Sequence, residues 1–301
     1  MPNTLAHIGV NGLLTRSLIK KSDLFWIYVG TVIPDIPWIL QRIIGTFFPS
    51  LNGFDLRLYV IVQATLLFSL IFSFVIALIT NTPKKTFFIL ASGSLFHLLL
   101  DSLQTKWANG VHLFAPFNWN LLNFGLFWPE SLPTYILTIS GIIFFILNWK
   151  VLSTQNLNLK FKLPKLFFSI LLLIIYYLLP FYFMPQVENA NNHFIKTLRN
   201  VNSRQGKYVE FDRKKIRFNK STSQYEIQTF DRSYIPLVGL KKTTAYKISL
   251  KGIFISNKSI KVIDYHEHIV WFRDGASYVG ITLILLSGFI ASKKEKTINK
   301  T

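Results

Sequence analysis

Apolar and polar positions along the chain fall into blocks instead of mixing. Runs near the roughly 20 apolar residues that cross a bilayer as a helix cover Leu24–Phe48, Leu58–Thr80, Thr86–Leu103, Thr134–Trp149 and Leu166–Met184. A sixth, Tyr278–Ser292, is shorter but uninterrupted and stops at Lys293, Lys294 and Lys296. The opening Thr4–Ile19 is weaker, carrying His7, Asn11 and Arg16. It lacks the basic start and clean apolar core of a cleaved signal peptide, so it is read as a helix that stays. Pro34 and Pro37 must break regular helix inside the second run. From Gln186 to Ala276 the period changes to two, as in Lys207-Tyr208-Val209-Glu210-Phe211 and Ile260-Lys261-Val262-Ile263-Asp264-Tyr265. Such alternation reads as short strands, and Gly206, Gly239 and Gly252 punctuate them as a five-stranded barrel or small sandwich requires. The expected fold is mainly α. A polytopic transmembrane helix bundle occupies 1–185, a small β-rich extracytoplasmic domain is inserted at 186–276, and a last transmembrane helix with a basic tail fills 277–301.

Charge orients these blocks. Lys and Arg outnumber Asp and Glu by 33 to 14, a net +19, and basic residues in short loops favour the cytoplasm. Lys20 and Lys21, Lys84 and Lys85, the set Lys150, Lys160, Lys162 and Lys165, and the tail Lys293 to Lys300 are therefore placed inside. Pro49 to Arg57, Lys106 to Pro133 and Gln186 to Ala276 are placed outside, and Val151 to Lys162 is read as a cytoplasmic loop. This suits a bacterial inner-membrane protein with 186–276 on the outer side. The chain has no cysteine, which excludes disulfide scaffolds, thiolate metal sites and thiol nucleophiles.

Ionisable side chains within apolar runs cost roughly 2.5–3.5 kcal/mol each on insertion scales and are functional candidates by default. Here they are His7, Asp35, His97 and Asp101. The i, i+4 spacing of His97 and Asp101 puts both on one helix face. Depth makes the four converge. His7 and Asp35 each lie 14 residues from Lys21, and His97 and Asp101 lie 12 and 16 from Lys85, or roughly 18–24 Å at about 1.5 Å per residue. Two imidazoles and two carboxylates suit a divalent metal such as Zn²⁺ or Mn²⁺, which can activate water for hydrolysis. A hydrogen-bonded structural His97–Asp101 pair and a proton relay stay open beside that reading.

The motifs Pro2-Asn3-Thr4-Leu5-Ala6-His7, Ile33-Pro34-Asp35-Ile36-Pro37, and His97-Leu98-Leu99-Leu100-Asp101 followed by Leu113-Phe114-Ala115-Pro116-Phe117 resemble the YdjM-like family of membrane-bound metal-dependent hydrolases. The resemblance covers 1–149 and implies that His7, Asp35, His97 and Asp101 are metal ligands. Pro37 stands where the family has a second Asp. Gln63-Ala64-Thr65 stands near the place of a His-rich element and supplies no imidazole. A mononuclear site, or a member without catalysis, is compatible with what remains.

Three accessory candidates are His112, which can cap the site from the outer loop or be an ordinary loop residue, Gln63 and Asn11. Tyr265-His266-Glu267-His268 reads as an exposed strand, since no third ligand is evident nearby. Trp107, Trp119 and Trp128 read as an interfacial aromatic belt. The basic run Arg213-Lys214-Lys215-Ile216-Arg217 points to anionic lipid or a cell-envelope polymer, or to a solvated face without a partner, and no nucleic acid is expected. Nucleotide-binding glycine motifs and Gly-x-Ser-x-Gly are absent. The leading expectation is a metal-dependent hydrolase acting on a lipid-like or membrane-associated ester or phosphoester through a metal-activated water. The alternative is a non-catalytic membrane protein whose basic outer domain binds an anionic partner. A transporter is disfavoured by the lack of repeated halves.

Overall fold

The computed structural model describes residues 3–155, 157 and 159–298, with side chains to 293. Pro2 of the opening motif and the lysine side chains at 294, 296 and 300 lie outside the described residues. The helices are α1 (Thr4–Leu18), α2 (Leu24–Val32), α3 (Ile36–Phe47), α4 (Gly53–Gln63), α5 (Leu66–Leu78), α6 (Pro83–Leu103), α7 (Leu132–Leu147), α8 (Trp149–Thr154), α9 (Leu163–Ala190), α10 (Ile195–Arg199) and α11 (Val270–Ile298). The strands are β1 (Tyr208–Asn219), β2 (Gln224–Gln228), β3 (Tyr234–Val238), β4 (Lys247–Ser256) and β5 (Ser259–Glu267). The fold is thus mainly α with a five-stranded β unit before the last helix.

Leu24–Phe47, Leu163–Ala190 and Val270–Lys293 are long and apolar enough to cross a membrane, and α4 with α5 adds a fourth if that bent pair is one span. Apolar residues of Leu163–Ala190 and Val270–Lys293 face outward, with Leu163 81% and Leu285 68% exposed, whereas Leu24 and Ile27 of the first span are fully buried. Pro34 breaks the α2–α3 run through a 3₁₀ turn at Ile33–Asp35. The expected single helix over Leu58–Thr80 is instead two, meeting at 68°. There Thr65 is extended and its hydroxyl donates to the Val62 carbonyl, so a polar side chain takes over a carbonyl that a continuing helix would use. The expected loop from Val151 begins as helix α8.

Helix packing is set by small residues. A Cβ on Gly141 of α7 would sit 1.8 Å from the Leu5 carbonyl oxygen of α1, and one on Gly30 of α2 would sit 2.9 Å from the Leu90 Cα of α6. Backbones approach this closely only where no side chain intervenes. The resulting core joins Leu5, Ile8, Leu24, Ile27, Tyr28, Ile89, Leu90 and Ile284.

The strands close into a barrel in the order β1-β2-β3-β5-β4, all pairs antiparallel except β3 with β5. This chooses the barrel over the sandwich. Its interior is one core with α4, α5, α9 and α10, running from Phe211, Leu250 and Phe254 to Leu58, Phe68, Tyr176 and Leu198. A β-bulge interrupts β1 between Phe211 and Lys214, with Arg213 at φ 48° and its N–H donating to Ser249 Oγ.

The three connections assigned to one side by lysine counting meet at one end of the molecule. A Cβ on Gly53 would sit 1.9 Å from the Phe230 carbonyl oxygen of the barrel. The loop before α7 grips the barrel through Glu130, whose carboxylate takes Arg213 at 3.2 Å and His268 Nδ1 at 2.9 Å. Burial pushes that carboxyl up, but His266, His268 and Arg213 hold it well below the usual carboxylate range.

Two outcomes follow. Gly141→Ala should lower thermal stability by about 1–3 kcal/mol through overpacking, whereas Gly275→Ala, with open space around it, should leave the melting temperature in detergent unchanged or slightly higher. Glu130→Gln should cost about 1.5–3 kcal/mol at neutral pH. Because the folded pKa is lowered, the wild-type advantage is present above the unfolded value of about 4.3 and fades as pH falls below it, as melting curves of the pair across pH would reveal.

Candidate metal centre

His7 comes from α1, Asp35 from the 3₁₀ turn, and His97 and Asp101 from successive turns of α6. His7, His97 and Asp101 are buried, and each offers a ligand atom lying within 4.8 Å of the others. His7 Nε2 is 3.4 Å from Asp101 Oδ1, His97 Nε2 is 3.7 Å from Asp35 Oδ1 and 3.9 Å from Asp101 Oδ2. The two imidazoles stack with centroids 3.8 Å apart and 8° between planes, so both rings present an edge to the same carboxylate. The close α2–α6 approach at Gly30 and the Asn11 bond from α1 to the Gly93 carbonyl of α6 hold these elements together.

The test of fit is what these atoms bond to. His97 Nδ1 lies 2.6 Å from the Thr31 carbonyl oxygen. A carbonyl only accepts, so Nδ1 carries the proton and the Nε2 lone pair points at the carboxylates. His7 Nδ1 and Nε2, His97 Nε2, Asp35 Oδ1 and Asp101 Oδ1 are buried without a hydrogen-bond partner. Orphaned polar atoms are rare in native interiors because each forfeits its hydration. Donor atoms about 2.0–2.2 Å from a tetrahedral metal are roughly 3.3–3.6 Å apart, close to the first two separations. The donor set therefore fits a divalent cation. Beside it lies Lys106, buried, with Nζ 3.1 Å from Asp101 Oδ2.

A second group able to hold a metal is Glu130, His266 and His268. It corrects the exposed-strand expectation. His268 lies buried just past β5, and Glu130 supplies the third group from a loop. Its atoms are only partly engaged, since Glu130 Oε2 and His266 Nε2, 3.5 Å apart, are buried without a hydrogen-bond partner. Both His268 nitrogens are bonded, Nε2 to Ser249 Oγ at 2.8 Å and Nδ1 to Glu130, and Arg213 already occupies Glu130 Oε1. A metal would compete with those bonds, which latch the loop to the barrel.

The accessory candidates are engaged elsewhere. Asn11 donates to Thr31 Oγ1 at 3.2 Å and to the Gly93 carbonyl at 3.0 Å, bracing α1 on α2 and α6. Gln63 donates to the Tyr59 hydroxyl and the Tyr176 carbonyl, tying α4 to α9. His112 Nε2 pairs with His193 Nε2 at 3.2 Å. Burial lowers His112 to about 4 and, with Arg57 and His112 nearby, holds His193 well below its ordinary value.

His97, Asp101 and Lys106 form one wall of a cavity of about 240 Å³ that His112 and His193 also line. Another wall comes from the barrel: Glu210, Asp212, Arg213 and Lys214 of β1, Lys247 of β4 and His268 beyond β5. Arg57 of α4 and Arg273 of α11 complete it. Sequence reasoning missed Lys106, Arg57, Glu130 and His193, which converge only through contacts across long stretches of chain. Lys214 was seen only as part of a basic run. β1 divides that run: Arg213 binds Glu130, Lys214 enters the cavity and Arg217 pairs with Glu226 at 2.8 Å.

The chain matches no protein-family model, no curated protein and no solved structure.

Proposed function

We propose that the chain is a membrane-embedded metal-dependent hydrolase that acts on an anionic, membrane-associated phosphoester. The observation that carries this reading is the set of orphaned, buried ligand atoms on His7, Asp35, His97 and Asp101, two of whose residues open onto a cation-lined cavity. A neutral acyl ester gives no reason for that lining. The helices cross a bilayer with the barrel on the outer side of a bacterial inner membrane. Outward-facing apolar residues on α9 and α11 and the lysine distribution support this placement.

In this reading His7, Asp35, His97 and Asp101 hold the metal, Zn²⁺ or Mn²⁺ by donor type. When bound, such a metal lowers the pKa of water to near neutrality and polarises a phosphoryl oxygen. Thr31 fixes the His97 tautomer through its carbonyl. Lys106 holds Asp101 in place and presents a positive charge to the cavity, where negative charge develops on the phosphoryl oxygens. The barrel supplies further walls of the cavity beside these groups.

The alternative is a non-catalytic protein with a basic outer domain: β1 sends Lys214 into the cavity but leaves Lys215 and Arg217 exposed. Metal analysis by mass spectrometry on detergent-purified protein, dialysed against metal-free buffer, decides between them. Close to one equivalent is expected in wild type and none in folded Asp35→Ala or His97→Ala. A metal-free wild type after reconstitution with Zn²⁺ and Mn²⁺ sinks the hydrolase reading. Lys106→Met should retain the metal while losing at least about tenfold in turnover of bis-p-nitrophenyl phosphate, and an unchanged rate would remove Lys106 from the chemistry.

A further inference from the structure

Seven basic side chains line the cavity, Arg42, Arg57, Lys106, Arg213, Lys214, Lys247 and Arg273, against five acidic ones, Asp101, Glu130, Glu210, Asp212 and Asp274. The pairing is uneven: among the described residues Arg42, Arg57 and Lys214 are in no salt bridge, and neither are the acids Glu210 and Asp212. Lys106 has Asp101, Arg213 has Glu130, and Lys247 has Asp274 at 3.9 Å. Arg57 and Lys214 have no carboxylate within ion-pair distance among the described residues, and they share one aromatic ring. The Arg57 guanidinium lies 4.4 Å from the Trp38 ring centroid and 5.4 Å from that of Phe230. Lys214 Nζ lies 3.5 Å from the Phe230 centroid.

Arg57 is held by these rings and by one long bond to Gln41 Oε1 at 3.5 Å, while its Nε is buried without a partner. The rings fix the two cations in orientation and leave their donors unspent. Two neighbouring cations out of bulk water repel unless an anion joins them. Burial first, and then Arg57, brings Lys214 down to about 7, against the opposing pull of Asp212 and Asp231. The β1 bulge is what turns Lys214 into this position, since it shifts the strand's alternation beside the cavity.

The geometry points to a phosphate clamp: Arg57 and Lys214 bind the phosphoryl oxygens of the substrate across the cavity from His97 and Asp101. Its role in substrate recognition rests on the hydrolase reading above; its capacity to bind phosphate does not. A planar guanidinium fork and a point-charge ammonium together match the three oxygens of a tetrahedral phosphoryl group, whereas a carboxylate satisfies the fork alone. A cavity of about 240 Å³ has room for a phosphoryl headgroup.

The test uses the full chain in detergent, stripped of metal with chelator so that no metal serves as the phosphate's ligand. Isothermal titration calorimetry is run with inorganic phosphate and, separately, with dihexanoyl phosphatidic acid. Wild type should bind, Arg57→Gln and Lys214→Gln should each bind about 10- to 100-fold more weakly, and Lys214→Arg, which keeps the charge, should recover most of the affinity. Binding of inorganic phosphate alone identifies a free phosphoryl ligand; binding of only the lipid identifies a headgroup; both support the clamp. Equal affinity in wild type and the folded double variant, or no binding of either probe to wild type, overturns it. Metal content of the same preparations after reloading separates the two readings. Phosphate binding without metal retention overturns the hydrolase and leaves the clamp, and metal retention without phosphate binding does the reverse.

Discussion

Everything in this molecule turns on the burial of two carboxylates and two imidazoles against one another. Removing a carboxylate from water costs several kcal/mol unless a partner replaces the lost hydration. Among the described residues Lys106 is the lysine or arginine that ion-pairs with Asp101, while Asp35 Oδ1 and the His7 ring nitrogens are left without hydrogen bonds. Such a cluster is tolerated only if the surrounding backbone is rigid enough to prevent its escape. The glycine contacts at Gly141 and Gly30 supply that rigidity, because they lock α1 on α7 and α2 on α6 at distances that permit no repacking.

The barrel answers the same demand from the other side. Its core is continuous with α4, α5 and α9, so it does not swing freely over the helices. Glu130 pins the loop before α7 to β1 and to the segment after β5. The Ser249 hydroxyl serves two parts of this joint, accepting from the Arg213 N–H at the bulge and bonding His268. The bulge, the latch and the cavity wall are therefore one structure, and a change at Glu130 is felt at Arg213 and Lys214.

Much of this was legible in the sequence where local physics rules. Counting 1.5 Å per residue from the lysines placed His7, Asp35, His97 and Asp101 at one level because those helix segments are regular up to Asp35. Period-2 alternation marked the strands for the same reason. The bulge also left a trace: Val209 and Phe211 point inward, and so does Ile216, an odd spacing that strict alternation forbids. Other features left none. Glu130 meets His268 across 138 positions and His112 meets His193 across 81, and no local pattern encodes such encounters. The bend at Thr65 was missed because apolar residues on both sides of Gln63-Ala64-Thr65 make one run long enough for a single helix.

Charge is sorted across the cavity in a way that neither half of the molecule explains alone. One wall carries Asp101 and His97; other walls carry Arg57 and Lys214, which have Asp212 near them but no carboxylate within ion-pair distance among the described residues. Opposite charges so close together would normally collapse into salt bridges. They are kept apart because Lys106 alone reaches Asp101, while Trp38 and Phe230 hold the other two cations by their ring faces. An arrangement that prevents its own charges from pairing is suited to a ligand that pairs with both at once, and a phosphoester with one oxygen toward a metal and others toward Arg57 and Lys214 has that character.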